Sequence, residues 1–208
     1  MLNRYICYKT FFDKLFAIFV LIALLPLFLL LSLIIKLTSR GPIFFLHKRI
    51  GMNNKTFKCI KFRTMYQGSV GDLAELLKND ISLKKEFDET HKLKNDPRIT
   101  PFGNFLRKTS IDELPQFINV LLGTMSVVGP RPIVEKEKIR YGKDIHQLLS
   151  VKPGITGLWQ TKGRSELTYK KRKQLDIYYT KNNSFILDFY IIIKTFFVLL
   201  FPKNKGAF

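Results

Sequence analysis

Thr109-Ser110-Ile111-Asp112-Glu113-Leu114-Pro115-Gln116 is the stretch around which the rest of the chain is organised. Adjacent carboxylates follow a short polar pair and precede an apolar run over residues 117–122. Ser110 and Glu113 have the spacing of a capping box, which predicts that a helix begins here with Pro115 in its first turns. If Asp112 is the cap residue instead, both carboxylates still lie at the positive end of the helix dipole, which favours their ionised forms.

Cations flank this acidic pair in the sequence. Arg107 and Lys108 precede it, and Arg131 follows in Gly129-Pro130-Arg131-Pro132, where two prolines restrict the backbone on either side. Ionised carboxylates among arginines suit a site for a polyanionic substrate, in which the arginines hold phosphates and a carboxylate does chemistry. The alternative from the local sequence is an ordinary helix cap with surface salt bridges.

The composition limits the kinds of partner. The 208 residues carry a formal net charge of +19, which requires an anionic partner such as nucleic acid, an anionic membrane surface or phosphorylated ligands. A hydrophobic content of 46% allows one domain with a core plus an accessory segment. The two cysteines lie far apart and the three histidines lack metal-ligand spacing, so we expect a reducing compartment and no zinc site.

An uncharged apolar run over residues 15–35 predicts a membrane-inserted helix. As a helix it would measure ~30 Å, about the hydrocarbon thickness of a bilayer. Basic residues flank both ends, so the positive-inside rule gives no orientation, and Pro26 falls within the run, where it kinks a helix. Two arrangements stay open: a re-entrant segment bent at Pro26 that enters and leaves by the cytoplasmic face, and a plain spanning helix with a mild kink.

The rest of the chain predicts short strands and further helices. Residues 43–63 predict a β-hairpin whose polar face carries Lys58 and Lys61, either in solvent or as phosphate ligands. Helices are predicted at residues 72–94, 132–149 and 169–179. The glycines of residues 151–160 permit close approach of a ligand but fit no Walker loop or dinucleotide fingerprint. Residues 184–201 predict a helix in the membrane interface or, alternatively, a buried core helix.

These motifs together resemble those of the monotopic phosphoglycosyl transferases, a family of small bacterial sugar transferases. The resemblance covers nearly the whole chain. It is carried by the proline of the N-terminal apolar segment and by Lys61-Phe62-Arg63-Thr64-Met65, Asp96-Pro97-Arg98-Ile99-Thr100, Thr109 to Gln116, Gly129-Pro130-Arg131-Pro132, Lys152-Pro153-Gly154-Ile155-Thr156-Gly157 and Gly163-Arg164.

The resemblance implies an enzyme of the bacterial inner membrane with its catalytic domain on the cytoplasmic face. Such an enzyme moves a sugar-1-phosphate from a UDP-sugar to undecaprenyl phosphate or another polyprenol phosphate and releases UMP. This step begins the assembly of capsule, O-antigen, exopolysaccharide or glycoprotein glycans. Membrane lipid and downstream glycosyltransferases would be further partners, and nucleic acid would not.

The resemblance also implies roles for individual residues. Asp112 would be the nucleophile that forms a phosphosugar intermediate, and Glu113 with Asp112 would hold Mg²⁺. The substrate-binding residues would be Arg107, Arg131 and Arg164, with Lys61 and Arg63 as further candidates and Asp176 as an acidic position of open role.

We therefore predict an α+β fold that is mainly helical, with a small β-hairpin, one re-entrant N-terminal helix kinked at Pro26 and interfacial amphipathic helices. Residues 1–40 would form the membrane-inserted helix with basic flanks, and residues 41–208 the catalytic domain, without the extra spans of larger members. Leu25 stands where the family often has serine before the proline, which removes a hydroxyl able to satisfy freed backbone groups. The competing function is a non-catalytic basic membrane protein that binds anionic lipid or nucleic acid.

Overall fold

Helices dominate the fold of the computed structural model, which describes residues 2–68, 72–90, 93, 96–163 and 167–200. A small antiparallel hairpin and a second, parallel pair of short strands complete it, so the predicted mainly helical fold with a hairpin is confirmed. The helices are α1 (Leu2–Ala23), α2 (Leu25–Thr38), α3 (Asp72–Asn79), α4 (Ile81–Thr90), α5 (Pro101–Thr109), α6 (Gln116–Leu121), α7 (Lys138–Tyr141), α8 (Ile145–Leu148), α9 (Leu158–Thr161), α10 (Tyr169–Asn182) and α11 (Phe185–Leu200). The strands are β1 (Phe44–Ile50), β2 (Thr56–Phe62), β3 (Ser126–Val128) and β4 (Gly154–Thr156).

The N-terminal apolar segment forms two helices that meet at a sharp bend. Pro26 lies in the first turn of α2, and α1 and α2 are inclined by 63° across the break at Leu24. Within the described ranges no single helix is long and apolar enough to cross a bilayer, whereas the two together reach that length and composition. This bend is much larger than the mild kink of a plain spanning helix. Proline fits here because the start of a helix needs no N–H from it.

Both N-terminal helices pack one side on the rest of the protein. Ala17 of α1 is buried in a cluster with Phe117 of α6 and Ile191 of α11, and Leu31 and Ile35 of α2 pack with Phe62 and Leu106. Their other sides expose large apolar residues, including Phe11, Phe19, Ile22, Leu29, Leu33 and Leu37. The same is true of α11, which buries Asp188 and Ile191 but exposes Ile186 and Phe189, so it is neither a buried core helix nor a wholly polar surface helix.

The hairpin presents two different faces because side chains alternate along a strand. Its register pairs Phe45 with Lys61 and His47 with Cys59, which puts these four residues on one face. Lys58 pairs with Lys48 and lies on the other face. The prediction that Lys58 and Lys61 share a polar face is therefore wrong, since residues three apart in a strand point to opposite sides.

Strands β3 and β4 support the turn that carries Arg131. They pair in parallel, Ser126 with Gly154 and Val128 with Thr156. A side chain at Gly154 would lie 2.0 Å from the Gly129 nitrogen, so the glycine permits this backbone contact. The glycines of this stretch were expected to admit a ligand, whereas here they admit the protein's own backbone.

The predicted helix at residues 132–149 is interrupted. A 3-10 turn at Glu135–Glu137 precedes α7, and Gly142, with a φ of 53°, separates α7 from α8. The charged region at residues 72–94 likewise forms two helices, α3 and α4, because the Asp80 side chain accepts from the Ser82 and Leu83 N–H groups and starts a new helix. Helix α10 lies where residues 169–179 predicted one.

Candidate active site

The acidic pair lies in a tight turn between α5 and α6. Ser110 adopts a left-handed conformation (φ 58°) and ends α5, with its N–H donated to the Arg107 carbonyl at 3.1 Å. Asp112 and Glu113 follow on a 3-10 turn, Ile111–Glu113, and α6 begins only at Gln116 with Pro115 as its cap residue. The predicted capping box is therefore wrong: Ser110 terminates one helix and its side chain caps no other.

Lys61 of β2 reaches both carboxylates. Its Nζ lies 2.5 Å from Glu113 Oε1 and 3.8 Å from Asp112 Oδ2. The Asp112 residue is only 8% exposed, while the Lys61 side chain retains 21% exposure. The hairpin thus places one ammonium group between two adjacent carboxylates at the edge of the interior.

The two carboxyls respond differently to this environment. Burial raises the pKa of Asp112 to about 6, against the opposing charge of Lys61. Burial would also raise the pKa of Glu113, but Lys61, followed by Arg131 and Arg49, lowers it below its usual value. The predicted effect of a helix start does not decide the pKa of Asp112, because only the single 3-10 turn Ile111–Glu113 begins here and burial outweighs it. Even so, Asp112 is mostly ionised at pH 7.

Arg107 lies beside the pair, as expected. Its Nε donates to Thr64 Oγ1 at 2.9 Å, which fixes the guanidinium on the loop that follows β2. Burial lowers the pKa of Arg107, and the charge of Asp112 raises it. The charges of two cations from different elements, Lys61 of the hairpin and Arg107 of α5, therefore act on Asp112.

Arg131 is an exposed residue between buried prolines, on the turn that follows β3. Its charge is close enough to lower the pKa of Glu113 and of Asp176. Asp176 is 2% exposed, accepts from the Tyr141 hydroxyl at 3.1 Å, and has its pKa raised by burial to about 7 although Tyr141 and the Arg131 backbone N–H lower it. These contacts place Asp176 beneath the Arg131 turn, as a support for it, and include neither Asp112 nor Glu113.

The Arg63 side chain contacts the C-terminal end of α2, whereas its motif suggested a contact with substrate. Its Nη2 donates to the Ser39 carbonyl at 2.7 Å, to Ser39 Oγ at 2.8 Å and to the Ile35 carbonyl at 3.4 Å. Strand β2 ends at Phe62, so Arg63 does not continue the face that carries Lys61. The guanidinium instead satisfies carbonyls at the C-terminal end of α2, a position that favours a cation. In this structure Arg63 anchors the C-terminal end of α2, and its expected role as a substrate ligand stays a prediction.

The two remaining residues singled out from the sequence are Arg164 and Pro26. Arg164 lies outside the described residues, so its role stays a prediction. Pro26 is at the bend between α1 and α2, as expected for a kink residue.

Two residues of the site were missed by the sequence analysis. Arg49 is buried on the same strand face as Lys61, and its Nη1 donates to the Pro132 carbonyl at 3.2 Å. His47 lies next to it on that face, with Nδ1 3.2 Å from Arg49 Nη2. The signal was available in principle, because alternation along the predicted hairpin puts His47, Arg49 and Lys61 on one side once the register is known.

Asp112 and Glu113 fit a Mg²⁺ ion that takes some of its ligands from the protein and the others from a substrate. In the part of the chain that the structure describes, no three His, Cys, Asp or Glu side chains cluster into a metal cage. Mg²⁺ is commonly held by one or two carboxylates together with substrate phosphates and water. Asp112 and Glu113 supply that donor set, provided that Lys61 gives up part of its contact with Glu113.

Comparison of the sequence with known proteins shows the family of this chain. The sequence model described as bacterial sugar transferase matches residues 4–202. The chain is 46% identical over 187 residues to the exopolysaccharide production protein ExoY of Sinorhizobium fredii, covering 90% of this chain and 83% of that protein. It is 44% identical to the UDP-galactose-lipid carrier transferase of Erwinia amylovora and 46% identical to the undecaprenyl-phosphate galactose phosphotransferase of Salmonella typhimurium. Each of these two matches covers 96% of this chain but 41% of the longer relative.

Proposed function

Because this chain belongs to the bacterial sugar transferase family, we propose that it transfers a sugar-1-phosphate from a UDP-sugar to undecaprenyl phosphate and releases UMP. The observation that carries the proposal is the buried Asp112 carboxylate, with Lys61 at 3.8 Å and the charge of Arg107 beside it. Such a carboxylate is a suitable nucleophile where phosphates are bound by the surrounding cations. The names of the Erwinia and Salmonella relatives support a lipid-linked acceptor.

In the first half of the reaction, Asp112 acts on the donor. A carboxylate oxygen attacks the phosphorus that carries the sugar, the bond from that phosphorus to the bridging oxygen breaks, and UMP leaves with the electron pair. The product on the protein is an acyl phosphate, in which the Asp112 carboxylate is joined to the phosphorus of the sugar phosphate. Arg107 and Lys61 hold the phosphate oxygens, and the exposed Arg131 side chain reaches the diphosphate from the turn after β3.

In the second half, the lipid acceptor regenerates the carboxylate. An oxygen of undecaprenyl phosphate attacks the same phosphorus, the bond to Asp112 breaks, and undecaprenyl diphosphate-sugar forms. Two displacements at one phosphorus let two phosphorylated substrates use one set of cations in turn, which is the reason for a covalent intermediate.

Mg²⁺, when bound by Glu113 and Asp112, would neutralise charge on the diphosphate and so assist departure of UMP. The protein's own part is to keep both carboxylates ionised and in position. Lys61 does this in the absence of substrate, because its ammonium group offsets the burial of both acids.

The membrane location follows from the exposed apolar faces. Helices α1, α2 and α11 expose large side chains such as Phe19, Leu33 and Phe189, which a bilayer would cover. We propose that the pair bent by 63° is re-entrant, with the catalytic domain on the cytoplasmic face of the bacterial inner membrane, where UDP-sugars are found. Helix α11 would lie in the interface, with Asp188 directed to the protein.

The product would start a surface or secreted glycan. The Sinorhizobium relative is named for exopolysaccharide production, which supports exopolysaccharide assembly, with capsule, O-antigen and glycoprotein glycans as the other pathways of this type. Downstream glycosyltransferases would extend the lipid-linked sugar.

The direct test is UMP release from a panel of UDP-sugars with undecaprenyl phosphate and Mg²⁺. We expect at least one donor to yield UMP with the wild-type protein and none with Asp112→Asn. The competing function, a non-catalytic protein that binds anionic lipid or nucleic acid, predicts no UMP and no effect of this substitution. Folded protein that binds vesicles but releases no UMP from any donor would contradict the proposal.

A further inference from the structure

His47 and Arg49 form a pair on the hairpin face that carries Lys61. They are two residues apart in β1. The register pairs His47 with Cys59, which is two residues before Lys61 on β2, so His47 and Lys61 point to the same face. Neither residue is used in the two displacements described above. His47 is partly exposed on this face, whereas Arg49 is buried.

The contacts of Arg49 leave it little freedom to meet a ligand. Its Nη1 donates to the Pro132 carbonyl at 3.2 Å and lies 3.8 Å from Glu137 Oε2, while Nη2 faces His47 Nδ1 at 3.2 Å. Glu137 is itself fixed, because it accepts from the Val134 N–H at 2.9 Å. Arg49 therefore joins the hairpin to the Arg131 turn and holds the imidazole.

This contact determines which nitrogen of His47 carries the proton. A guanidinium group has N–H donors and no acceptor, so His47 Nδ1 must be the acceptor and must be unprotonated. The neutral ring then bears its hydrogen on Nε2. The site thus holds a donor that carries no charge of its own.

The electrostatic surroundings keep the ring neutral. Burial, followed by the charges of Arg49, Lys61 and Arg131, lowers the pKa of His47 to about 4. The Glu137 carboxylate opposes them with a smaller effect. Lys61 and Arg131, whose charges lower the pKa of His47, also lower the pKa of Glu113, so the imidazole and this carboxylate share two neighbouring cations.

We propose that His47 is a further substrate-binding residue, whose Nε2–H donates to a phosphate oxygen in this site, and that Arg49 is the positioning residue that fixes its tautomer. This inference rests on the proposed function, since it assumes that phosphorylated substrates bind here. The phosphate belongs to the sugar-nucleotide donor or to the lipid acceptor. A neutral donor contributes to recognition without adding a fourth positive charge that would hold the anionic product UMP more tightly.

The tautomer is tested by NMR of protein labelled with ¹⁵N-histidine. The chain has three histidines, so the His47 signals are identified by their loss in His47→Gln. We expect a neutral Nε2–H ring between pH 5.5 and 8. In Arg49→Lys, which keeps the charge but cannot contact Pro132 and His47 together, an Nδ1–H population should appear. An Nδ1–H ring in the wild type, or titration of His47 near pH 6.5, would overturn the inference whether or not the enzyme turns over.

Kinetics test the substrate contact in two arms. The first measures a single turnover of UMP release with donor alone, and the second measures full turnover with undecaprenyl phosphate. His47→Leu should slow the arm whose phosphate it contacts by about tenfold, the effect of losing one hydrogen bond to a charged group. His47→Gln should retain most of the rate, because its amide nitrogen can replace Nε2–H.

The outcomes separate the two proposals. A loss in the donor-only arm assigns the contact to the donor phosphates, and a loss confined to full turnover assigns it to the lipid phosphate. If His47→Leu equals the wild type in both arms, the inference fails while the proposed function stands. If the wild type itself releases no UMP, the proposed function fails, and the substrate contact of His47 fails with it.

Discussion

Replacing Lys61 by methionine tests how the site keeps Asp112, the proposed nucleophile, ionised. Lys61 Nζ lies 3.8 Å from Asp112 Oδ2, and its charge is the largest influence that opposes the burial of this carboxyl. Two unit charges at 4 Å interact by about 1 kcal/mol in bulk water and about 4 kcal/mol near a protein surface. Since one pKa unit corresponds to about 1.4 kcal/mol, loss of the ammonium should raise the pKa of Asp112 by about one to three units.

The expected result is a displaced pH–rate profile. In the wild type, single-turnover UMP release should fall as the pH drops through about 6, because protonated Asp112 cannot attack phosphorus. In Lys61→Met this acid limb should move to between about 7 and 9, so activity lost at pH 7 returns in part at higher pH. Lys61→Arg is the matched control, since it keeps the charge and should keep the limb near its wild-type position.

The same experiment separates two roles of Lys61. A lysine that only binds the diphosphate would, on removal, raise KM for the donor and leave the acid limb at about 6. That result, with the Lys61→Met protein folded, would refute the electrostatic reasoning.

Three further predictions concern Asp176, Arg63 and the topology of the N-terminal helices. Burial raises the pKa of Asp176 to about 7, so its contribution to stability is largest below pH 4 and is lost as the pH rises through about 7. Asp176→Asn should therefore reduce the pH dependence of the unfolding free energy by up to about 4 kcal/mol. An unchanged pH dependence in chemical unfolding between pH 4 and 8 would contradict this prediction. Arg63→Met should lower stability by about 2 kcal/mol through loss of its bonds to Ser39, with the acid limb of the rate unmoved, and a displaced limb would instead place Arg63 in the site. For topology, in a Cys7→Ser background, cysteines placed at Asn3 and Thr38 should react with an impermeant reagent from the same side of the membrane, and opposite-side labelling would establish a spanning segment.

The hairpin and α10 could be predicted because their signals are local. Alternating apolar and basic residues with an asparagine turn predict β1 and β2, and Asn53 and Asn54 do adopt positive φ values of 55° and 62° in that turn. The acidic motif could also be recognised as the centre of the site. Its local conformation could not, because Ser110 suits the end of α5 as well as the start of a new helix, and the sequence does not show where α5 stops.

The roles of the arginines depended on contacts that are distant in the chain. Arg63 was expected to bind phosphate, but Ser39, 24 residues earlier, supplies its acceptors at the end of α2. Arg49 was overlooked because its importance arises from Pro132, 83 residues away. Local sequence shows that such a side chain is cationic, while tertiary packing decides whether it meets a ligand or the protein backbone.

The upward shift in the pKa of Asp112 could not be predicted from the sequence for the same reason. A helix dipole is a local effect that sequence can suggest, whereas the burial that raises the pKa of Asp112 arises where its 3-10 turn packs against β2 and α5. Lys61 and Arg107 offset this burial from two different elements. The balance between burial and these charges can be assessed only after the fold is known.

The proposed reaction requires a covalent bond between Asp112 and phosphorus. Protein that releases UMP in full turnover should be incubated with the UDP-sugar and Mg²⁺ alone, quenched, and examined by intact-mass and peptide mass spectrometry. We predict a mass increase of one phosphosugar group located on Asp112, which is absent from Asp112→Asn and disappears when undecaprenyl phosphate is added. Turnover-competent protein that never carries this group at Asp112 would contradict the central claim.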